Sequence, residues 1–365
     1  MTKSSHVTRR TVITSGLATA AVPLAAALPQ SAIAQERKVT KVLDFTTAAD
    51  IAKAEAEGEF LFYSHDSEPG IASILDAFSK DFPKIKGKYV RAQNGALFSR
   101  TIAERSAGRY TADVIQFSEP STALDFQKRG GYAHYVSPQS EFYRPEHLSN
   151  PVGDFFWIAV TFAGISYNAD KVKPEDAPKN WPDVLKPIWQ NAANVKQSSS
   201  GMQFVQWYEL RKLYGEKFWA DFAKLRPRGF DSRAQLFDRL AKGDDKICVL
   251  AEYAGYLLQK QKGSNIEFVA PPDGMPAAPL VCGIADRAPH PEAARLFMDW
   301  QMSLRGQANQ QDNPYLYYGS LRKDAPPMPG GKRLSDFKLL APTDMDAFMA
   351  TRPAFNKEWN AMLGL

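Results

Sequence analysis

Polar side chains follow three strand-like segments in the first half of the chain. These segments alternate with helical patterns, which indicates parallel β-α units. In sheets of this kind ligands bind at the carboxyl ends of the strands, so polar side chains placed there are candidate ligand contacts. The candidates, each given with the segment that it ends or follows, are Ser64 and His65 (59–64), Asn94 (86–90), and Ser118 and Glu119 (112–117).

A serine cluster marks a second candidate site, in the second half of the chain. Three serines and Gly201 lie immediately before the helical pattern 202–214. Hydroxyl groups and unpaired backbone N–H groups at a helix start can bind an anion. The alternative is that one serine simply caps the helix. Ser199, Ser200 and Gly201 are therefore candidate anion contacts.

A tyrosine occupies the equivalent place after another strand. Tyr253 opens a predicted helix directly after the buried strand-like segment 246–251. By the same strand-end rule, we expect its side chain to reach the ligand.

The chain lacks the common signatures of catalysis and of structural metal sites. It has no Cys-x-x-Cys, His-Glu-x-x-His, Gly-x-Ser-x-Gly, Walker or Gly-x-Gly-x-x-Gly motif. Of its five histidines, only His65 lies at a predicted strand end. An enzyme would need an acid–base pair at the site, and Glu119 with His65 is the candidate pair. The sequence favours a binding protein and not an enzyme.

Two apolar segments explain how the candidate contacts can face one another. The segment 155–168 is rich in aromatic and β-branched residues, which predicts a buried strand. A second strand-like segment, 278–285, follows more than a hundred residues later. We expect the two to pair as a hinge between two α/β lobes, with the ligand cleft between the lobes.

Length and charge limit the classes of protein to consider. The 365 residues suggest about two domains. The formal net charge is +5, and it falls to +2 (42 basic and 40 acidic residues) once the first 34 residues, with three basic and no acidic side chains, are set aside. This balance gives no argument for nucleic acid or a membrane surface as a partner.

The two cysteines, Cys248 and Cys282, cannot form a disulfide-stapled scaffold. They are compatible either with one bridge between lobe and hinge or with two small buried apolar side chains. We favour the second interpretation.

The N-terminus has the pattern of a targeting segment. Arg9 and Arg10 precede a mildly apolar run, 12–28, and Ala32-Ile33-Ala34 fits the small-residue rule for cleavage. The run is too short and too polar for a membrane span. We predict a signal peptide at 1–34 that is cleaved near Ala34, and hence a soluble protein in the periplasm. The paired arginines resemble a twin-arginine translocation signal, which implies export after folding.

Several motifs occur in the order found in one known family. They are Glu59–Ser64, Ala112-Asp113-Val114, Asn180–Trp189, Ser199-Ser200-Gly201 and the segment Ala288–Ser303, which contains His-Pro-Glu-Ala-Ala. Together they resemble family 1 extracellular solute-binding proteins of ABC importers, in the branch that includes ferric-ion-binding proteins. The resemblance covers roughly residues 55–325.

The resemblance implies a two-lobed periplasmic binding protein fold, a monomer, and an inner-membrane ABC permease as partner. The expected organisation is lobe one at 39–159, lobe two at 160–281, and a return to lobe one with a C-terminal tail at 282–365. Lobe closure is then a hinge motion near 159–162 and 281–284.

The resemblance leaves the ligand open. Ferric binders hold iron through adjacent tyrosines, whereas Tyr253 is followed here by Ala254, and Tyr256 lies one turn further on. Related branches use the serine segment for phosphate, phosphonate or carboxylate groups. We therefore favour a small organic anion, such as a phosphonate, phosphate ester or carboxylate, with no cofactor. The alternatives are a ferric iron importer, with Fe³⁺ on His65, Tyr253 and Tyr256, and a periplasmic ligand sensor.

Overall fold

A computed structural model describes residues 37–365 of the chain. The predicted signal peptide, its paired arginines and its cleavage site therefore lie outside the described residues.

Twelve strands are present in the described residues, ten of them in one mixed sheet. The main path of this sheet runs β4-β3-β5-β11-β6-β9-β7-β8, with β10 added to β6 and β12 added to β11. The strands are β1 (Thr40–Val42), β2 (Phe45–Thr47), β3 (Glu59–Ser64), β4 (Lys86–Arg91), β5 (Val114–Phe117), β6 (Phe156–Asn168), β7 (Ala193–Lys196), β8 (Arg228–Phe230), β9 (Ile247–Glu252), β10 (Ile266–Val269), β11 (Met275–Ile284) and β12 (Leu339–Leu340).

Helices cover the sheet, and short 3₁₀ turns lie in the connections at 138–142, 145–147, 181–185, 187–189 and 334–336. The helices are α1 (Ile51–Glu57), α2 (Glu68–Asp81), α3 (Asn94–Ser106), α4 (Pro120–Lys128), α5 (Gly201–Tyr214), α6 (Lys217–Ala223), α7 (Arg233–Lys242), α8 (Tyr253–Gln261), α9 (Pro291–Met302), α10 (Leu304–Asp312), α11 (Met345–Ala350) and α12 (Arg352–Leu363). None of the helices in the described part of the chain is both long enough and apolar enough to cross a membrane.

The two long strands β6 and β11 form the centre of the sheet. They pair antiparallel from Ala277 opposite Phe162 to Cys282 opposite Phe156, with a register shift between Leu280 and Val281. The other edge of β11 pairs with β5, and the other edge of β6 pairs with β9. The predicted pairing of these two segments is confirmed.

Each end of the sheet has its own parallel strands and its own core. We call the part built on β3, β4 and β5 lobe one, and the part built on β7, β8 and β9 lobe two. In lobe one, the rings of Phe60 of β3, Phe78 of α2 and Phe297 of α9 pack together. In lobe two, Trp181 and Trp207 are fully buried. The fold is thus the expected two-lobed α/β arrangement with hinge strands between the lobes.

The end of the chain packs on lobe two. Phe348 of α11 and Phe355 and Trp359 of α12 are buried in the same core as Trp207. The sequence analysis placed this part of the chain in a C-terminal tail, and α12 was not predicted. The spacing of Phe355 and Trp359, one helical turn apart, was the available signal.

Both cysteines are free and buried. Cys248 lies in a lobe-two cluster, whereas the Sγ of Cys282 lies 3.6 Å from the Sδ of Met298 in lobe one. The favoured interpretation of two buried apolar side chains is therefore confirmed, and the bridge is excluded.

We expect neither cysteine to react with a thiol reagent such as Ellman's reagent in the native protein. Burial raises the pKa of the Cys248 thiol and that of Cys282, so that the reactive thiolate is scarce as well as inaccessible. Unfolding in guanidinium should release two thiols per chain. Rapid labelling of the native protein would contradict this placement.

Candidate functional site

A cleft of about 1060 Å³ separates lobe one from lobe two, with the hinge strands as its floor. Its walls come from the carboxyl ends of β3, β4 and β5 on one side and of β7, β8 and β9 on the other. Ligand clefts commonly have a volume in the range of about 300–1,000 Å³, so this one is large enough for an organic solute.

Most of the sequence-predicted contacts line this cleft. Those that do are His65, Asn94, Ser118, Glu119, Ser199, Ser200 and Gly201. The strand-end rule therefore selected side chains that the fold brings together. Their roles in ligand binding remain predictions.

Ser64 does not line the cleft, contrary to expectation. Its side chain is fully buried, and its hydroxyl oxygen accepts a hydrogen bond from the backbone N–H of Asp66 at 3.2 Å. The serine therefore shapes the turn after β3, and the next two residues, His65 and Asp66, face the cleft instead.

Asn94 organises the wall of lobe one. Its amide oxygen accepts a hydrogen bond from the backbone N–H of Ser118 at 2.9 Å, and its amide nitrogen donates to the hydroxyl of Thr122 at 2.9 Å. Because both hydrogen-bonding ends of the side chain are occupied, Asn94 joins the loops after β4 and β5. It holds Ser118 in place at the cleft.

A buried carboxylate lies behind His65. Asp66 accepts hydrogen bonds from the hydroxyl of Tyr318 at 2.5 Å and from the amide of Gln116 at 2.7 Å. The Nδ1 atom of His65 lies 3.5 Å from Asp66 Oδ1. Burial lowers the pKa of His65 below its ordinary value, although Asp66 opposes the shift, so the imidazole is neutral at neutral pH.

The serine cluster opens helix α5, as predicted. The hydroxyl of Ser200 accepts a hydrogen bond from the backbone N–H of Gln203 at 3.3 Å, so Ser200 caps the helix. The exposed Ser199 lies beside this cap, and Gly201 and Met202 of the first turn also line the cleft. The first N–H groups of a helix have no partner within the helix. An anion near Gly201 would also gain from the helix dipole.

Three charged side chains form the floor of the cleft next to the hinge. Glu252, at the end of β9, is paired with Lys196, at the end of β7, and its other oxygen lies 3.6 Å from Arg233. Burial alone raises the pKa of Glu252, but the positive charges of Lys196 and Arg233 lower it by more, so the net shift is downward. Glu252 is therefore a carboxylate at neutral pH, held in a compact network with both cations.

Glu119 reaches across the cleft towards lobe two. Its Oε2 atom lies 3.4 Å from Nη1 of Arg352, the first residue of α12. A Cβ atom at Gly201 would lie 2.8 Å from Glu119 Oε1, so the carboxyl group is packed against the start of α5. Burial raises the pKa of Glu119, and Arg352 partly offsets this shift.

Arg91 brings an exposed positive charge to the wall of lobe one. Its Nε atom donates to the backbone carbonyl of Asp66 at 3.3 Å, and it forms no salt bridge with any residue that the structure describes. The other basic side chains at the cleft are Lys196, Arg233, Lys262 and Arg352. Arg91 therefore has a guanidinium group that is available to an anionic ligand.

Tyr253 does not reach the cleft, and this corrects the sequence-based expectation. Its ring is buried in an apolar cluster and stacks on Phe162, with centroids 5.3 Å apart. Tyr256 packs on Phe268 in the same region, 5.3 Å between centroids. The side chain of Tyr253, the first residue of α8, therefore lies in this apolar cluster and not among the residues that line the cleft. Within residues 37–365, no group of three or more His, Cys, Asp and Glu side chains is arranged to hold a metal ion.

Replacing Tyr253 by phenylalanine should therefore leave ligand binding unchanged, within about twofold, because only a hydroxyl outside the cleft is removed. Tyr253→Ala should instead lower stability by about 3–5 kcal/mol, since it leaves a cavity in the aromatic cluster. Binding isotherms and chemical unfolding curves of the two variants test this. A large loss of affinity in Tyr253→Phe would mean that the hydroxyl of Tyr253 contacts the ligand.

Several side chains at the cleft were not predicted from the sequence. Lys196 and Glu252 end strands β7 and β9, so the strand-end rule, applied to the last residue as well as to the following loop, would have found them. Tyr318 and Arg352 come from distant segments after α10 and α11. No local pattern marks them, because only tertiary packing brings them to the cleft.

Comparisons with known proteins agree with this fold. The bacterial extracellular solute-binding protein family matches residues 110–336, more than half of the chain. The Fe(3+)-binding periplasmic protein of Serratia marcescens is 23% identical over 282 residues, covering 73% of this chain and 80% of the relative.

Solved structures resemble the chain over most of its length. The periplasmic binding protein AfuA from Actinobacillus pleuropneumoniae, with exogenous fructose-6-phosphate bound, has a TM-score of 0.72 and 20% identity. Iron-bound HitA from Pseudomonas aeruginosa has a TM-score of 0.71 and 20% identity. Both cover 84% of this chain, and this chain covers 99% of each. The family is one of binding proteins and not of enzymes, and this chain belongs to the bacterial extracellular solute-binding proteins.

Proposed function

We propose that the protein is the substrate-binding component of an ABC importer, and that it captures a small organic anion in the cleft between its lobes. It delivers this ligand to a membrane permease. Export through the N-terminal segment 1–34, with cleavage near Ala34, and function as a monomer are parts of the same proposal.

The observation that carries this proposal is that the cleft has both the volume for an organic solute and anion-binding groups on its two walls. A volume of about 1060 Å³ suits an organic solute better than a bare ion. The start of α5 supplies N–H groups and Ser199 from lobe two, while the guanidinium of Arg91 faces the same space from lobe one. A phosphate, phosphonate or carboxylate group matches both walls.

The mechanism that we propose is closure of the lobes around the ligand. The anionic group first binds at Ser199, Ser200 and Gly201, and the wall of lobe one, with Ser118 and Arg91, then closes over it. The flexing points are near 159–162 and 281–284, on the paired strands β6 and β11. At the floor of the cleft, the positive charges of Arg233 and Lys196 balance the negative charge of Glu252, so that the carboxylate does not repel an anionic ligand.

Relatives with both kinds of ligand exist, since AfuA carries fructose-6-phosphate and HitA carries iron. For this chain, the packing of Tyr253 and Tyr256 away from the cleft favours the organic anion. A hard ferric ion prefers several anionic oxygen ligands, and the two tyrosines do not provide them here.

A ligand screen tests the proposal. Sugar phosphates, alkyl phosphonates, dicarboxylates, citrate, inorganic phosphate and ferric citrate are added separately to the protein, and the midpoint of thermal unfolding is measured. An organic anion that saturates the cleft at about 100 times its Kd should stabilise the protein by about 2.7 kcal/mol. Stabilisation by ferric citrate alone, with no response to citrate, would contradict the organic-anion assignment.

A further inference from the structure

The C-terminal helices α11 and α12 lie beyond residue 336, where the match to the family ends. Their aromatic side chains attach them firmly to lobe two. Phe348 stacks on Phe204 of α5 with ring centroids 4.1 Å apart, and Trp359 meets Trp219 edge-on at 4.9 Å. The helices therefore move with lobe two as one body.

Helix α12 also holds the loop that leads into α5. The indole N–H of Trp359 donates to the carbonyl of Lys196 at 2.8 Å, and Arg352 donates to the carbonyl of Ser198 at 3.4 Å. These two carbonyl groups lie just before Ser199 and Ser200. The helix thus fixes the segment that carries the candidate anion contacts.

The same Arg352 contacts the opposite lobe through Glu119. The two side chains are 23% and 17% exposed, so water and salt screen this pair less than an ordinary surface pair. The carboxyl group of Glu119 is at the same time packed on Gly201 of lobe two. Glu119 belongs to lobe one, and these contacts can exist only while the lobes are together.

We propose that Arg352 is a positioning residue that holds the cleft closed through its ion pair with Glu119, so that the C-terminal helices favour the closed state before ligand arrives. This inference rests on the proposed function in one respect, that the lobes open and close during ligand capture. A ligand that binds the closed state gains apparent affinity in proportion to the fraction of closed protein. The ion pair therefore raises affinity and slows ligand release.

The test measures lobe closure in protein from which any co-purified ligand has been removed by unfolding in guanidinium and refolding. Spin labels are attached at Lys80→Cys and Lys224→Cys, two exposed positions on different lobes, while the buried native cysteines stay unlabelled. Electron–electron distance measurements then give the ratio of closed to open molecules. Arg352→Gln should lower this ratio by about fivefold, Glu119→Gln by a similar factor, and the double variant by no more than either single variant.

Lys128→Gln is the matched control. Lys128 also reaches across the lobes, 3.7 Å from Asp346 of α11, but both side chains are largely exposed (70% and 94%), so its loss should leave the ratio unchanged. Wild-type distances in Arg352→Gln, or additive effects of the two single variants, would overturn the proposal. Because no ligand is used, failure to find an organic anion would leave this result unaffected.

Discussion

Replacing Lys196 by methionine is expected to lower the free energy of unfolding by about 3 kcal/mol at pH 7. Lys196 and Glu252 are paired, with only 13% and 8% of their side chains exposed. Loss of the ammonium group leaves a buried carboxylate with Arg233 as its remaining cation, 3.6 Å away. Methionine keeps most of the side-chain volume, so the loss measures the charge rather than a cavity.

The pH dependence of the Lys196→Met variant should differ in sign from that of the wild type. In the wild type the pKa of Glu252 is lowered from 4.5. The contribution of Glu252 to the free energy of unfolding is therefore present above pH 4.5 and is lost only as the pH falls through the lowered pKa. Burial is the largest single influence on this carboxyl group, so we expect its pKa to be raised once the charge and hydrogen bond of Lys196 are removed. The free energy of unfolding of the variant should therefore increase as the pH is lowered from 7 to 5.

Urea unfolding of both proteins at pH 7 and pH 5 checks this expectation. Lys217→Met is the control, because Lys217 pairs with Asp221 on the surface and its side chain is 77% exposed. Equal stability of wild type and Lys196→Met, with no rise at pH 5, would mean that the Lys196–Glu252 pair does not stabilise the fold.

The substitution Arg91→Gln is expected to weaken binding of the anionic ligand by roughly 10- to 150-fold, the equivalent of losing a charged hydrogen bond of about 1.5–3 kcal/mol. Arg91 lies at the cleft, and its side chain is exposed at the end of strand β4. Its loss should leave the unfolding transition nearly unchanged, so that the effect on affinity can be separated from an effect on folding.

Lys88→Gln supplies the comparison. Lys88 is also on β4, but it pairs with Glu59 and lies outside the cleft. Isothermal titration with the identified anion should show wild-type affinity in this variant. If Arg91→Gln binds as tightly as Lys88→Gln, the guanidinium of Arg91 takes no part in holding the ligand.

Much of the architecture follows from the local pattern of the sequence, because strands and helices alternate and the central strands are strongly apolar. The ends of β3, β4, β5 and β7 place most predicted contacts at the cleft for this reason alone. Ser64 and Tyr253 are exceptions, since the direction of a side chain at the end of a strand or the start of a helix depends on its neighbours. Ser64 turns back to the N–H of Asp66, and Tyr253 turns into an aromatic cluster.

The contacts that could not be predicted from the sequence are those between residues far apart in the chain. The contact between Arg352 and Glu119 joins residues 233 positions apart, and Tyr318 meets Asp66 across 252 positions. No periodicity within either segment predicts such a pair. The charge network at Glu252 likewise depends on two strands and one helix meeting at one place, with Glu252 on β9, Lys196 on β7 and Arg233 on α7.

The measurement that tests the central claim most directly is native mass spectrometry, combined with iron analysis, on the mature protein purified without refolding. We predict an added mass from one small organic anion per chain and no stoichiometric iron. The added mass should be lost in a variant in which Arg91→Gln is combined with Ser199→Ala. Stoichiometric iron without an organic mass, or a ferric-tyrosinate colour that returns when iron is added, would contradict the assignment of an organic anion to this cleft.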